Sequence, residues 1–283
     1  MLADYHVHLE NGPYTREWLE RFVAAGIRRG IAEIGFSEHL FRFYEAERIW
    51  PEWWSLPASQ HLEDYVRLVR EASTTGIPVK LGIEVDYIEG KEREIAELLS
   101  MYQWDYVIGS VHFIDDWGFD QEEFVGRWDG ADRDRVYERY FDLAAKAAGS
   151  GLFDIIGHPD VIKVFGHKAV SDLTPVYRKF AQAVAGSGCA VEVSTAGLRK
   201  PVGEMYPEIN LLREFRKAGV PIVISSDAHY PDDVGRGFDA ACAFARSAGY
   251  GSVLSFTGRK ARSSPLPSVW LSTLEPVLGQ TNV

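Results

Sequence analysis

The sequence predicts an α/β fold in which seven parallel strands, joined by crossover helices, close into a barrel. Three observations predict it. Seven short apolar runs rich in β-branched residues recur along the chain. Segments with helical spacing separate them. Nearly every run ends in a histidine or an acid, and strand C-termini form the active-site face of barrel enzymes.

The first run, residues 2–7, leads into His6-Val7-His8, an alternation that aims both imidazoles to one side of an extended chain. Trp18, Leu19, Phe22 and Val23 then share one helical face. The second run, 32–36, leads into Glu38-His39. Residues 40–60 follow with Phe41, Phe43, Tyr44, Trp50, Trp53 and Trp54 but no clean period, as expected of a long loop over one barrel end or of a satellite core. Tyr65, Leu68 and Val69 mark the next helix. Gly76 ends it, and Pro78 precedes the third run, 79–85, which carries Glu84 and runs on to Asp86.

The fourth run, 106–111, is followed by His112, and Val136, Tyr140, Leu143 and Ala144 form another helical face. The fifth, 155–157, leads into His158. The sixth, 190–193, is followed by Arg199. Gly219 and Pro221 punctuate the entry to the seventh, 222–224, which leads into Asp227-Ala228-His229. Residues 263–283, with three prolines and no strong period, read as a wrapping or poorly ordered tail.

At 283 residues the chain suits one domain, 1–283, and no repeat or linker divides it. With 46% hydrophobic and 25% charged residues it has the apolar material for a large core. A net charge of −11 without basic runs argues against a nucleic-acid partner, and no 18-residue apolar stretch predicts a membrane span. Two cysteines, Cys189 and Cys242, exclude a disulfide framework, read as buried apolar residues, and fit a cytoplasmic protein.

Six of the eight histidines stand at strand ends; His61 and His167 do not, and read as solvated surface. Imidazoles and carboxylates without a thiolate favour zinc, manganese or iron. Six imidazoles and at least two carboxylates would overfill one four- to six-coordinate ion, so a cluster of two or three divalent ions fits better.

Taken in order, Asp4-Tyr5-His6-Val7-His8, Ser37-Glu38-His39, Gly82-Ile83-Glu84, Gly109-Ser110-Val111-His112, Gly157-His158-Pro159 and Ser226-Asp227-Ala228-His229 resemble the motifs of the polymerase and histidinol phosphatase (PHP) domain. The resemblance spans positions 4 to 229. It implies a distorted seven-stranded (β/α)7 TIM-like barrel with a trinuclear metal site. Carried over, it gives the first ion His6, His8, Glu84 and Asp227. Glu84 bridges to a second held by His112 and His158, and a third takes His39 and His229. Some members add a histidine soon after the first motif; this chain has none there, and Glu10 is the candidate substitute.

Residues 194–204 and Tyr206-Pro207 are similar, more narrowly, to a segment of histidinol-phosphate phosphatases, as is His8-Leu9-Glu10-Asn11-Gly12-Pro13-Tyr14. This implies metal-activated hydrolysis of L-histidinol phosphate in histidine biosynthesis. Glu84, Asp227 and Arg199 would be catalytic. Arg199 would grip phosphate, with Glu204, Glu45 and the aromatic segment near the substrate's cationic groups. Asp160 or a histidine free of metal could protonate the leaving alcohol. The competing readings are a phosphatase for another monoester or a nucleotide phosphodiester, a barrel attacking carbon, and a non-catalytic metal-binding module.

Overall fold

The computed structural model describes residues 2–50 and 58–267. Seven parallel strands run in chain order: β1 (Leu2–Val7), β2 (Ile31–Phe36), β3 (Val79–Asp86), β4 (Tyr106–Ser110), β5 (Ile155–Ile156), β6 (Ala190–Ser194) and β7 (Ile222–Ser225). The ring closes just past β7. There the His8 amide donates to the Ala228 carbonyl at 2.8 Å and the Ala228 amide to that of His6 at 3.0 Å.

Each apolar run became a strand, because a strand buried on both faces needs continuous hydrophobicity. The helical faces likewise became α1 (Arg16–Arg28), α2 (Leu62–Thr74) and α4 (Arg133–Gly149), with α3 (Glu92–Leu99), α5 (Thr174–Ser187), α6 (Ile209–Lys217) and α7 (Phe238–Ser247) completing the ring. Thr15 caps α1 by accepting the Trp18 amide, and Leu19, Phe22 and Val23 bury its inner face. Gly76 and Gly219 end their helices at φ of 88° and 78°, conformations that favour glycine.

The barrel interior is apolar toward the strand N-termini, where Tyr5, Tyr106, Ile108, Ile155, Ala190 and Val223 pack together. Gly35 and Gly82 lie against the Tyr106 ring, where a Cβ would overlap it. This end is sealed by an antiparallel hairpin, β8 (Ser252–Thr257) and β9 (Lys260–Pro265). Phe256 joins the interior cluster, and its amide donates to Tyr5 Oη at 3.1 Å. At the turn, Gly258 N donates to Asp105 at 3.0 Å and Arg259 Nε to Asp154 at 2.8 Å.

The hairpin corrects the reading of the tail. Residues 263–265 are paired strand, and residues 268–283 lie outside the described residues. The missed signal was the two-residue turn Gly258-Arg259, at φ of 54° and 60°.

The aromatic segment divides. Phe43 and Ile49 are fully buried in the main core, whereas the Phe41 ring stacks on His39 at 4.8 Å; Trp53 and Trp54 fall outside the described residues. Cys189 and Cys242 are free and buried, as expected. No helix among the described residues is long and apolar enough to cross a membrane.

Candidate metal centre

The six strand-end histidines converge with Glu84 and Asp227 at the C-terminal end of the barrel. In β1, Tyr5 packs in the barrel interior while the adjacent His6 also points inward to Glu84. Consecutive strand residues normally face opposite sides; the register shift between Asp4 and Val7 permits both, and sets His6 and His8 on the site.

Glu84 lies at the middle. Its Oε2 is 2.7 Å from His39 Nδ1, 3.3 Å from His6 Nε2 and 3.6 Å from His8 Nε2. Its Oε1 is 3.1 Å from His158 Nε2 and 3.8 Å from His112 Nε2, and accepts a hydrogen bond from Ser110 Oγ at 2.6 Å. Asp227 Oδ1 faces His8 Nε2 at 3.4 Å, His229 Nδ1 at 3.6 Å and His6 Nε2 at 3.7 Å. Glu10 Oε1 approaches His229 Nε2 at 3.4 Å, while its Oε2 accepts from Arg42 at 3.2 Å.

Behind the histidines stand carboxylates that orient them. His6 Nδ1 is 2.6 Å from Glu192 Oε1 and His112 Nδ1 2.7 Å from Asp86 Oδ1, which leaves each Nε2 aimed at the centre. Glu38 lies 3.5 Å from His8 Nδ1. Glu192 escaped the sequence reading; an acid between two valines in an otherwise apolar buried strand was its signal.

Burial opposes charge on His6, but Glu192, Glu84 and Asp227 outweigh it and push its pKa well above the ordinary value. His8 and His112 rise to about 10, burial again being overcome, by Asp227 and Glu38 in one and by Asp86 and Asp120 in the other. Glu84 falls well below the usual carboxylate range despite its burial, because His6 and His39 face it. A divalent cation supplies the same compensating charge and displaces those protons.

The donor set fits metal. Three groups, His6/His8/Asp227, His6/Glu84/His158 and His8/His39/His229, each bring their ligand atoms within 4.8 Å of one another. His6 Nε2, His8 Nε2, His39 Nδ1 and Glu84 Oε2 are buried without a well-formed hydrogen bond, and bound cations would satisfy them. His158 and Asp227 adopt φ of 21° and 50°, strained values for side chains with a Cβ and of a kind that concentrates at functional sites.

Other expected residues are placed differently. Arg199 Nη2 donates to the carbonyls of Ser226 at 2.7 Å and Asp227 at 3.1 Å, and Nε lies 3.6 Å from Asp233; the guanidinium braces the Asp227 loop. Glu45 accepts from the Leu62 amide at 3.0 Å and contacts exposed His61 at 3.2 Å, so it caps α2 rather than facing the cluster. Glu204 pairs with Lys168, and with Lys163 at 3.5 Å. Asp160 is buried in a 2.9 Å pair with Lys163. His167 is not free surface, since its ring stacks on Trp128 at 5.1 Å.

A seven-stranded barrel with a histidine and carboxylate cluster at its strand C-termini defines a metal-dependent hydrolase class. The PHP domain matches residues 4–196, and the chain belongs to this family. It is 37% identical over 266 residues to a "Probable histidinol-phosphatase" of Deinococcus radiodurans, covering 92% of this chain and 98% of that one. It is 26% identical to a histidinol-phosphatase of Bacillus subtilis, over 84% of this chain and 97% of the relative. The histidinol phosphate phosphatase of Lactococcus lactis, solved with zinc, L-histidinol and phosphate, superposes with a TM-score of 0.74 at 21% identity, over 92% and 98% of the two chains.

Proposed function

We propose that this protein is a metal-dependent histidinol-phosphatase, hydrolysing L-histidinol phosphate to L-histidinol and inorganic phosphate in histidine biosynthesis. The observation that carries the reading is the convergence of six histidines, Glu84 and Asp227 on shared points, in a chain aligned over nearly its whole length with histidinol-phosphatases.

The residues suit three divalent ions of zinc, manganese or iron type. His6, His8, Glu84 and Asp227 would hold the first, Glu84, His112 and His158 the second, and His39, His229 and Glu10 the third. Bound there, such ions supply Lewis-acid charge for a phosphoryl group and acidify water near neutral pH. The chain's own part is orientation. Glu192 and Asp86 fix the tautomers of His6 and His112, Ser110 turns Glu84, and Arg199 holds the backbone on both sides of Asp227. Arg199 can still act on phosphate through a donor not directed at those carbonyls. One domain over residues 1–283, in a reducing cytoplasm that keeps both thiols free, accords with this reading.

The test is phosphate release from L-histidinol phosphate by metal-analysed protein, beside p-nitrophenyl phosphate and a phosphodiester. Selective turnover of L-histidinol phosphate, lost with Glu84→Ala, is expected. Preferred turnover of another ester would replace the substrate, and no turnover with a filled site would remove the reading.

A further inference from the structure

Arg42, Lys163 and Arg199 are cations at or near the cluster, and each has protein acceptors, Arg42 pairing with Glu10 at 3.2 Å. Arg199 is directed at the carbonyls of Ser226 and Asp227. Lys163, itself buried, bonds Asp160 at 2.9 Å and the Met205 carbonyl at 2.9 Å. Beside them stands a donor with no such engagement. Tyr206 is 1% exposed, and its Oη is buried without a hydrogen-bond partner.

The ring is fixed in place. Tyr206 N donates to the Ser194 carbonyl at 3.1 Å and Ser194 N to that of Tyr206 at 2.7 Å, a bridge that clamps the residue to the C-terminal end of β6. Its ring meets that of His158 edge to face, with centroids 6.3 Å apart, and passes over Gly197, where a Cβ would stand 3.0 Å from Tyr206 Cζ. Contact with the His158 ring and pairing with the end of β6 put the tyrosine on the wall of the metal centre. An ordinary phenol keeps its proton at neutral pH, so the hydroxyl is a donor.

A buried hydroxyl left unsatisfied is costly and is rarely retained without a partner. Dianionic phosphate, with three non-bridging oxygens, is an acceptor that suits a neutral donor at this wall. We infer that Tyr206 is a further substrate-binding residue, whose Oη donates a hydrogen bond to a phosphoryl oxygen of the bound ester and of the product phosphate. This rests on the phosphatase reading.

The experiment compares the metal-loaded wild type and Tyr206→Phe, with inorganic phosphate as the probe. Binding is measured by calorimetry and by product inhibition, alongside metal content and thermal midpoint. The substitution removes an oxygen that bonds nothing in the protein, so metal content and midpoint without phosphate should hold. A charge-assisted hydrogen bond predicts a rise of about 10- to 100-fold in the phosphate dissociation constant. A similar loss in kcat/KM should appear with both L-histidinol phosphate and p-nitrophenyl phosphate. Phosphate affinity within about twofold of wild type overturns the inference, as does loss of metal from a folded variant, which would put Tyr206 to work on the ligands instead. Phosphate binding needs no turnover. A wild type that binds phosphate but hydrolyses no L-histidinol phosphate therefore ends the phosphatase reading and leaves the Tyr206 contact to the binding comparison.

Discussion

The two ends of this barrel are built on opposite principles. At the strand N-termini, Tyr5, Tyr106 and Phe256 fill the interior and a hairpin seals it, with turn donors on Asp105 and Asp154. At the strand C-termini the same strands bury His6, His8, Glu84, His112, His158 and Glu192, with several polar atoms unbonded. Buried polar groups lacking partners oppose folding, and apolar packing supports it. The difference teaches that the closed end carries the stability against which the open end can hold strained residues and converging ligands.

The sharpest separation should come from Glu84→Ala. Activity on L-histidinol phosphate should fall by roughly 10⁴-fold or more, about 5.5 kcal/mol in barrier, because every proposed ion but the third loses a ligand. Elemental analysis should show metal lost, while the thermal midpoint of the metal-free protein falls little. A metal-free variant that unfolds outright would mean the cluster also supports the fold.

Phe256→Ala should do the reverse, lowering stability by about 3–5 kcal/mol in denaturant unfolding as it empties the sealed end. Activity per folded molecule should be unchanged. A selective loss of turnover instead would mean that the two ends are coupled.

Glu192→Gln sharpens the contrast within the open end. It keeps the size of the side chain but weakens its hold on His6 Nδ1, so metal affinity or activity should fall about 10- to 100-fold. Titration with a competing chelator would read the affinity directly. The smallest effect is expected from Thr15→Ala, which removes the cap of α1 for about 1 kcal/mol of stability and no change in kinetics.

Much of this was legible in the residues. The run at 2–7 is β1 to the residue, the run at 32–36 differs from β2 by one, and His-x-His at the end of an extended run could face only one side. Less legible were features whose signal lies far away in the chain. Glu192 acts on a histidine 186 residues distant, and its strand alone offers only an acid in an apolar setting. Arg199 had the right chemistry for phosphate, but the carbonyls that engage it arrive 27 and 28 residues later. Glu45 looked available to a cationic substrate until the Leu62 amide and His61 took it.

The sequence by itself determined the alternation of strands and helices and the types of ligand at each strand end, because hydrophobic period and residue chemistry are local properties. Only the tertiary structure decided which nitrogen of each histidine faces the centre, that Tyr5 and His6 both point inward, that a hairpin seals the far end, and that Tyr206 keeps a hydroxyl without a partner. Those outcomes depend on ring closure and on contacts between residues remote in the chain, and no local pattern encodes them.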